Sequence, residues 1–128
     1  MEIETYIYDI LINSEAITDL FGDNIQPLSG KKTKLPVILY QLFQIGTETS
    51  KTKGELKGEY ILKLHLFSEN YLDIMAASDI CKELLDFKEV TEDEALVIDL
   101  IKFIKYSNEY QENAEVFNRT LEFSVDIY

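Results

Sequence analysis

Tryptophan is absent from this chain of 128 residues, and it holds one cysteine, one histidine, two prolines and five glycines. A single cysteine cannot close a disulfide within the chain. Cys81 falls on the apolar flank of a predicted helix, the setting of a buried structural thiol and not of a reactive one. Because His65 lies sixteen residues away on a different predicted element, neither a zinc site nor a Cys–His nucleophile has residues to draw on. The glycines all lie between Gly22 and Gly58, with no G-x-G-x-x-G or G-K-[ST] grouping, so no phosphate-binding loop is present. The densest acidic point, Glu92-Asp93-Glu94, lacks the D-x-D-x-D-G spacing of a calcium loop and reads as a solvated turn. The expectation is a protein that is no enzyme and carries no cofactor or metal.

Basic charge is scarce too. Twelve Lys and Arg face 24 Asp and Glu, for a net charge of −12. Up to Leu64 there are 9 acids against 7 bases; from His65 onward, 15 against 5, so the two parts carry −2 and −10. Such a surface repels phosphate and argues against binding DNA by counterion release. It suits either a solubilising surface or one that sits beside DNA without holding it, or imitates it. No apolar run approaches the roughly 20 residues needed to span a bilayer, and the start Met1-Glu-Ile-Glu4 lacks the basic residues of a signal peptide. A soluble protein made in the cytosol, without a membrane partner, is expected.

What remains is apolar and aromatic. Hydrophobic residues make up 46% of the chain, with eight Tyr and seven Phe, which is enough to build one domain spanning residues 1–128. Ile3, Tyr6, Ile7, Ile10 and Leu11 recur at helical spacing; Ser14 can cap a second short helix carrying Ile17, Leu20 and Phe21, which Gly22 stops. Ile25 to Leu28 reads as a short edge strand, since Pro27 cannot donate to a central ladder. Val37 to Ile45 is a strand apolar on both faces, so a neighbour or another subunit is expected to cover one of them. Tyr60, Leu62, Leu64 and Leu66 alternate with Ile61, Lys63, His65 and Phe67 in the next strand, where His65 reads as a residue of the mixed face.

That strand passes directly into a helix, with Ser68 or Asn70 as its cap. Leu72, Met75, Ala76, Ile80, Leu84 and Phe87 form its main stripe, widened on one flank by Ile74, Ala77, Cys81 and Leu85. After a charged turn at residues 88–94, Ala95 to Tyr106 reads as a strand, with a helix as the alternative, and carries Leu96, Ile98, Leu100, Ile104 and Tyr106 on one face. A polar turn follows at residues 107–114, then a final strand with Phe117, Leu121, Phe123, Val125 and Ile127 inward. The order α-α-β-β-α-β-β implies an α+β fold, a four-stranded, mainly antiparallel sheet with helices packed on one face.

Two features stand outside this core. The polar stretch at about residues 46–58 reads as a mobile arm, and its Lys51, Lys53 and Lys57 join Lys31, Lys32 and Lys34 in the only basic patch. It is a solvated loop tip or a docking surface for an acidic partner, such as the acidic half of an identical subunit. Arg119 breaks the inward set of the last strand, and a buried Arg needs a carboxylate or carbonyl, so it reads as a structural ion pair or a subunit contact.

In ordered combination, Ile7-Tyr-Asp-Ile-Leu-Ile-Asn-Ser-Glu-Ala-Ile-Thr-Asp-Leu-Phe-Gly22, Leu35-Pro-Val-Ile-Leu-Tyr-Gln41, the passage from Leu62 to Leu85 and Asn118-Arg-Thr-Leu-Glu-Phe-Ser-Val-Asp-Ile-Tyr128 cover nearly the whole chain. Together they resemble the small tail-completion proteins of tailed bacteriophages, the tail-terminator or head-to-tail joining family. The chain departs from the usual look in lacking tryptophan and in its lysine-rich arm. The resemblance implies a structural virion protein of the tail or neck, present in the host cytoplasm during assembly. It implies a homo-oligomeric ring, commonly hexameric, that meets the tail tube protein and the head-connector proteins while DNA passes through the lumen without specific binding. The competing reading is a small acidic DNA mimic that inhibits a host nucleic-acid enzyme; a third is a generic α+β ligand-binding domain.

Overall fold

Residues 3–29, 34–49, 56–92, 95–113 and 115–127 are described by a computed structural model. Helices α1 (Ile3–Ile12) and α2 (Glu15–Phe21) lead into β1 (Ile25–Pro27), β2 (Val37–Thr49) and β3 (Leu56–Ser68). Helix α3 (Tyr71–Leu85) then crosses to β4 (Lys88–Glu92), β5 (Ala95–Gln111) and β6 (Val116–Ile127). The strands form one sheet in the order β1-β2-β3-β6-β5-β4. Only β1 runs parallel to its neighbour; every other pairing is antiparallel.

The α+β class stands, but the four-stranded sheet is corrected to six strands. The two strands beyond the four are both at the edges: β1, three residues of the short edge strand expected at Ile25 to Leu28, and β4, with the unexpected sequence Lys-Glu-Val-Thr-Glu. An edge strand with one neighbour needs little apolar content, so β4 looks like a charged turn in sequence. The polar arm is partly strand as well: β2 and β3 stay paired out to Thr49 and Leu56, and residues 50–55 lie outside the described structure.

Helix ends follow local chemistry. The Ser14 hydroxyl accepts the Ile17 N–H at 3.4 Å, and Gly22 closes α2 at φ +61°, a left-handed value that costs glycine nothing. At α3, Asn70 Oδ1 accepts the Leu72 N–H at 3.0 Å, while Ser68 Oγ accepts that of Asn70, also at 3.0 Å. Both candidate caps are used, one for the helix and one for the turn before it.

The core lies between the three helices and one face of the sheet. Ile7 and Leu11 of α1, Ile17 and Phe21 of α2, and Ile74, Ala77, Cys81 and Leu85 of α3 meet Ile38, Leu62, Leu64, Leu66, Ile98, Ile101, Leu121, Phe123 and Val125. Burying a side chain such as Phe123 is worth about 1.5–3 kcal/mol each time, so this layer dominates stability. The expected facing of α3 is reversed in part. The flank Ile74, Ala77, Cys81 and Leu85 is the buried face, whereas Leu72, Met75 and Phe87 of the main stripe are exposed. Two overlapping apolar stripes fit the same period, and only the sheet beneath decides which one turns inward.

The facing of β5 is corrected too. Bulges between Ile98 and Leu100 and between Phe103 and Lys105 shift the alternation twice, so Ile98, Ile101, Phe103 and Tyr106 share the helix face. The strand also runs on to Gln111, through residues whose polarity suggests a turn.

Candidate interaction surface

Tyr71, the first residue of α3, meets one end of the sheet at β5 and β6. Arg119 of β6 lies on the helix face there, paired with Asn108 of β5 and Leu66 of β3. It is only 7% exposed. Its Nε donates to Asn108 Oδ1 at 2.7 Å and its Nη2 to the Tyr71 hydroxyl at 3.1 Å. The guanidinium lies 4.3 Å from the centre of the Tyr106 ring and 5.8 Å from that of Tyr71. The partner is therefore an amide carbonyl and two aromatic faces, and the expected ion pair is replaced by a stacked, hydrogen-bonded cation.

Aromatic rings extend this site outward. Phe117 sits 5.2 Å from Tyr71 and 4.7 Å from Tyr110, centre to centre. Tyr106 and Tyr110 remain about half exposed, and Leu72 and Met75 of α3 stand open beside Tyr71. Tyrosine and arginine around a partly dry centre are the residues that carry most of the energy in protein interfaces. Sequence reasoning missed Tyr71, Tyr106 and Tyr110; the signal was the spacing Tyr106, Asn108, Tyr110, an alternation hidden by reading residues 107–114 as a turn.

The opposite face of the sheet is polar at its centre and apolar at one corner. Lys63 pairs with Glu122 at 3.5 Å, a partly exposed contact worth about 0–1 kcal/mol. His65 has Nδ1 3.0 Å from Thr120 Oγ1 and Nε2 3.4 Å from Gln41 Oε1. Since an amide oxygen only accepts, Nε2 carries the proton and Nδ1 accepts from Thr120. Burial, followed by the charge of Lys63, lowers the His65 pKa and keeps the ring neutral. This is a structural hydrogen-bond row across β2, β3 and β6. Phe43, farther along β2, is exposed on this face, and Ile45, at the bulge that follows, is exposed as well.

Of the predicted lysines, Lys31, Lys32, Lys51 and Lys53 lie outside the described residues. Lys57 falls in β3 opposite Glu48. Lys34 is exposed, and its carbonyl accepts from Asn24 Nδ2 at 2.6 Å. Arg119 is thus the one predicted contact residue placed in a built cluster. Cys81 is fully buried and its thiol is pushed up to about 12. Among the described residues no group of three or more His, Cys, Asp or Glu is placed to hold a metal ion. An open cleft of about 470 Å³ between α1 and β4, lined by Asp9, Asn13, Lys88 and Glu89 among others, offers no histidine or cysteine. No described helix is long and apolar enough to cross a membrane.

No protein-family model and no curated protein matches the sequence. Among solved structures, the chain is similar to a chain of the "Virion of native gene transfer agent (GTA) particle", with a TM-score of 0.80 at 11% identity, over 98% of this chain and 93% of that one. At that identity the likeness is one of fold, and it extends over nearly all of the chain.

Proposed function

We propose that this protein is a structural component of a virion, a tail-terminator or tail-completion protein that forms a ring at the head-proximal end of a phage tail and joins it to the head connector. The observation that carries the reading is the fold shared, end to end, with a chain of a gene transfer agent virion. The family resemblance of the sequence agrees with it. So does a surface with an arginine–tyrosine cluster and exposed apolar side chains on both faces, which fits assembly better than catalysis. The net charge of −12 suits a lumen through which DNA slides without being held. A ring uses heterologous contacts, one patch of a subunit against a different patch of the next. The lysine-rich segments and the acidic second half of the chain supply one such pair in sequence.

Light scattering across protein concentration and salt, with negative-stain imaging of the same fractions, tests the reading. Rings of about six or more copies are the expected result. A single-chain mass at all conditions would overturn the ring, and capture of a host nuclease or polymerase would put the acidic-inhibitor reading in its place.

A further inference from the structure

The two long edge strands of the sheet are each covered for only half their length. Strand β1 pairs with residues 38–40 of β2 and leaves the rest of that edge open among the described residues. Strand β4 pairs with β5 no farther than Ile101. Just beyond, the Phe103 N–H is taken by Asp86 Oδ1 at 2.9 Å, and from Ile104 onward the β5 edge is open among the described residues. Because β2 and β5 run in opposite directions, the open halves lie at diagonally opposite corners of the sheet. Both carry exposed apolar side chains: Phe43 and Ile45 on one, Ile104, Tyr106 and Tyr110 on the other. Natural sheets usually blunt such edges with charge, proline or a covering element.

We propose that the open half of β2 in one copy of this chain pairs, antiparallel, with the open half of β5 in the next copy. The inference rests on the ring reading above and names its interface. Three observations argue for a second copy as the occupant. First, polarity fits: copies set side by side with the same face inward bring an upward β2 against a downward β5. Second, backbone direction fits. The register that sets Gln41 opposite Gln111 keeps residues 41–44 and 108–111 on common faces, with Phe43 opposite Glu109 and Gln44 opposite Asn108, up to the bulge that follows Gln44. The Tyr40 carbonyl accepts from Leu28 and the Ile38 N–H donates to Asn24, so even-numbered residues of β2, and hence Gln44, point their backbone groups off the edge. On β5 the Ile101 carbonyl and Phe103 N–H point outward, and the bulge that follows passes that role to Tyr106, Asn108 and Tyr110. Third, the pairing sets Glu109 beside Phe43, whose ring lies 5.7 Å from Lys63 Nζ, within reach of an ion pair.

The geometry also closes. Gln41, Lys63, Glu122 and Lys105 share one row of the sheet, yet Gln41 meets Gln111 of the next copy, six residues along β5. Six residues at about 3.3 Å give a stagger of about 20 Å, and the four strands between equivalent points span about 19 Å. The strands would then tilt by about 45°, at the upper end of the range for closed barrels. The tilt is the same for any number of copies, so it permits a ring without fixing its size.

Phe43 and Glu109 form a non-hydrogen-bonded pair in this register, where Cα atoms come about 4.5 Å apart and a disulfide fits. The double variant Phe43→Cys with Glu109→Cys, oxidised in solution, is expected to give a ladder of covalent multiples on a non-reducing gel, and each single variant only the single chain. A second variant, Gln44→Pro, removes one outward N–H without touching the pairing to β3; it is expected to keep the single-chain melting curve and lose the high-mass species. Rings in the wild type without a ladder, or a Gln44→Pro protein that still forms them, would overturn this interface and leave the ring reading intact. A ladder that stops at two chains would overturn the head-to-tail arrangement. A wild type of single-chain mass at every concentration would overturn both.

Discussion

Truncating Arg119 separates what its stem does from what its charge does. The side chain is almost fully buried, and since alanine keeps Cβ, truncation removes two methylenes of the stem at about 0.8 kcal/mol each, about 1.6 kcal/mol together. The head makes two hydrogen bonds, to Asn108 and Tyr71, and stacks on Tyr106. Both hydrogen-bond partners are solvent-exposed, so water replaces the lost donor and each bond nets about 0.5–1 kcal/mol, with a similar amount for the stack. Releasing a buried cation returns about 1–2 kcal/mol of solvation. Arg119→Ala is therefore expected to cost about 2–3 kcal/mol, and Arg119→Met, which restores most of the stem, about 1 kcal/mol or less. For a domain of this size 1 kcal/mol moves Tm by about 4 °C, so the drops are about 8–12 °C and below about 5 °C. Circular dichroism melts at one protein concentration read both. Equal losses in the two variants would show that the head and not the stem carries the stability, and would refute the reasoning.

Three further outcomes follow from single sites. Cys81, buried with its thiol raised to about 12, is expected to react with a thiol reagent only at the rate of global opening in native buffer and at once in denaturant; fast labelling of the folded protein would contradict its placement. Because the folded pKa of His65 is lowered, the unfolded chain takes up the proton first as pH falls below about 6.5. The stability His65 contributes is complete above that value and declines below it, and His65→Gln is expected to flatten urea-denaturation midpoints measured from pH 7 to pH 5. Gly22→Ala meets no atom within 4 Å but must hold φ +61°, so a loss of about 1 kcal/mol is expected from backbone strain alone.

How much of this was legible in the sequence depends on the range of the physics involved. Local rules were enough for the cap at Ser14, the choice of Ser68 or Asn70 at the start of α3, the stop at Gly22, a short edge strand beginning at Ile25, and the strands whose alternation is unbroken, above all Leu62 to Leu66 and Leu121 to Val125. The same pattern exposed Arg119 as an inward-pointing cation in need of a partner. Where two readings shared one period, sequence chose wrongly: α3 offers two apolar stripes, and the one that looked secondary is buried. Charged β4 and the far end of β5 are strands because their neighbours supply hydrogen bonds, not because their residues prefer the conformation.

Composition and local pattern by themselves determined the α+β class, the acidity, the single buried thiol and the absence of any recognised catalytic motif, because these depend on residue identity and on neighbours a few positions away. The tertiary structure alone decided that Tyr71, Asn108 and Tyr106 would gather around Arg119, and that the open edges of β2 and β5 would fall at opposite corners of one sheet. Those arrangements depend on strand order and on two bulges. Long-range pairing sets both, and no local preference records them.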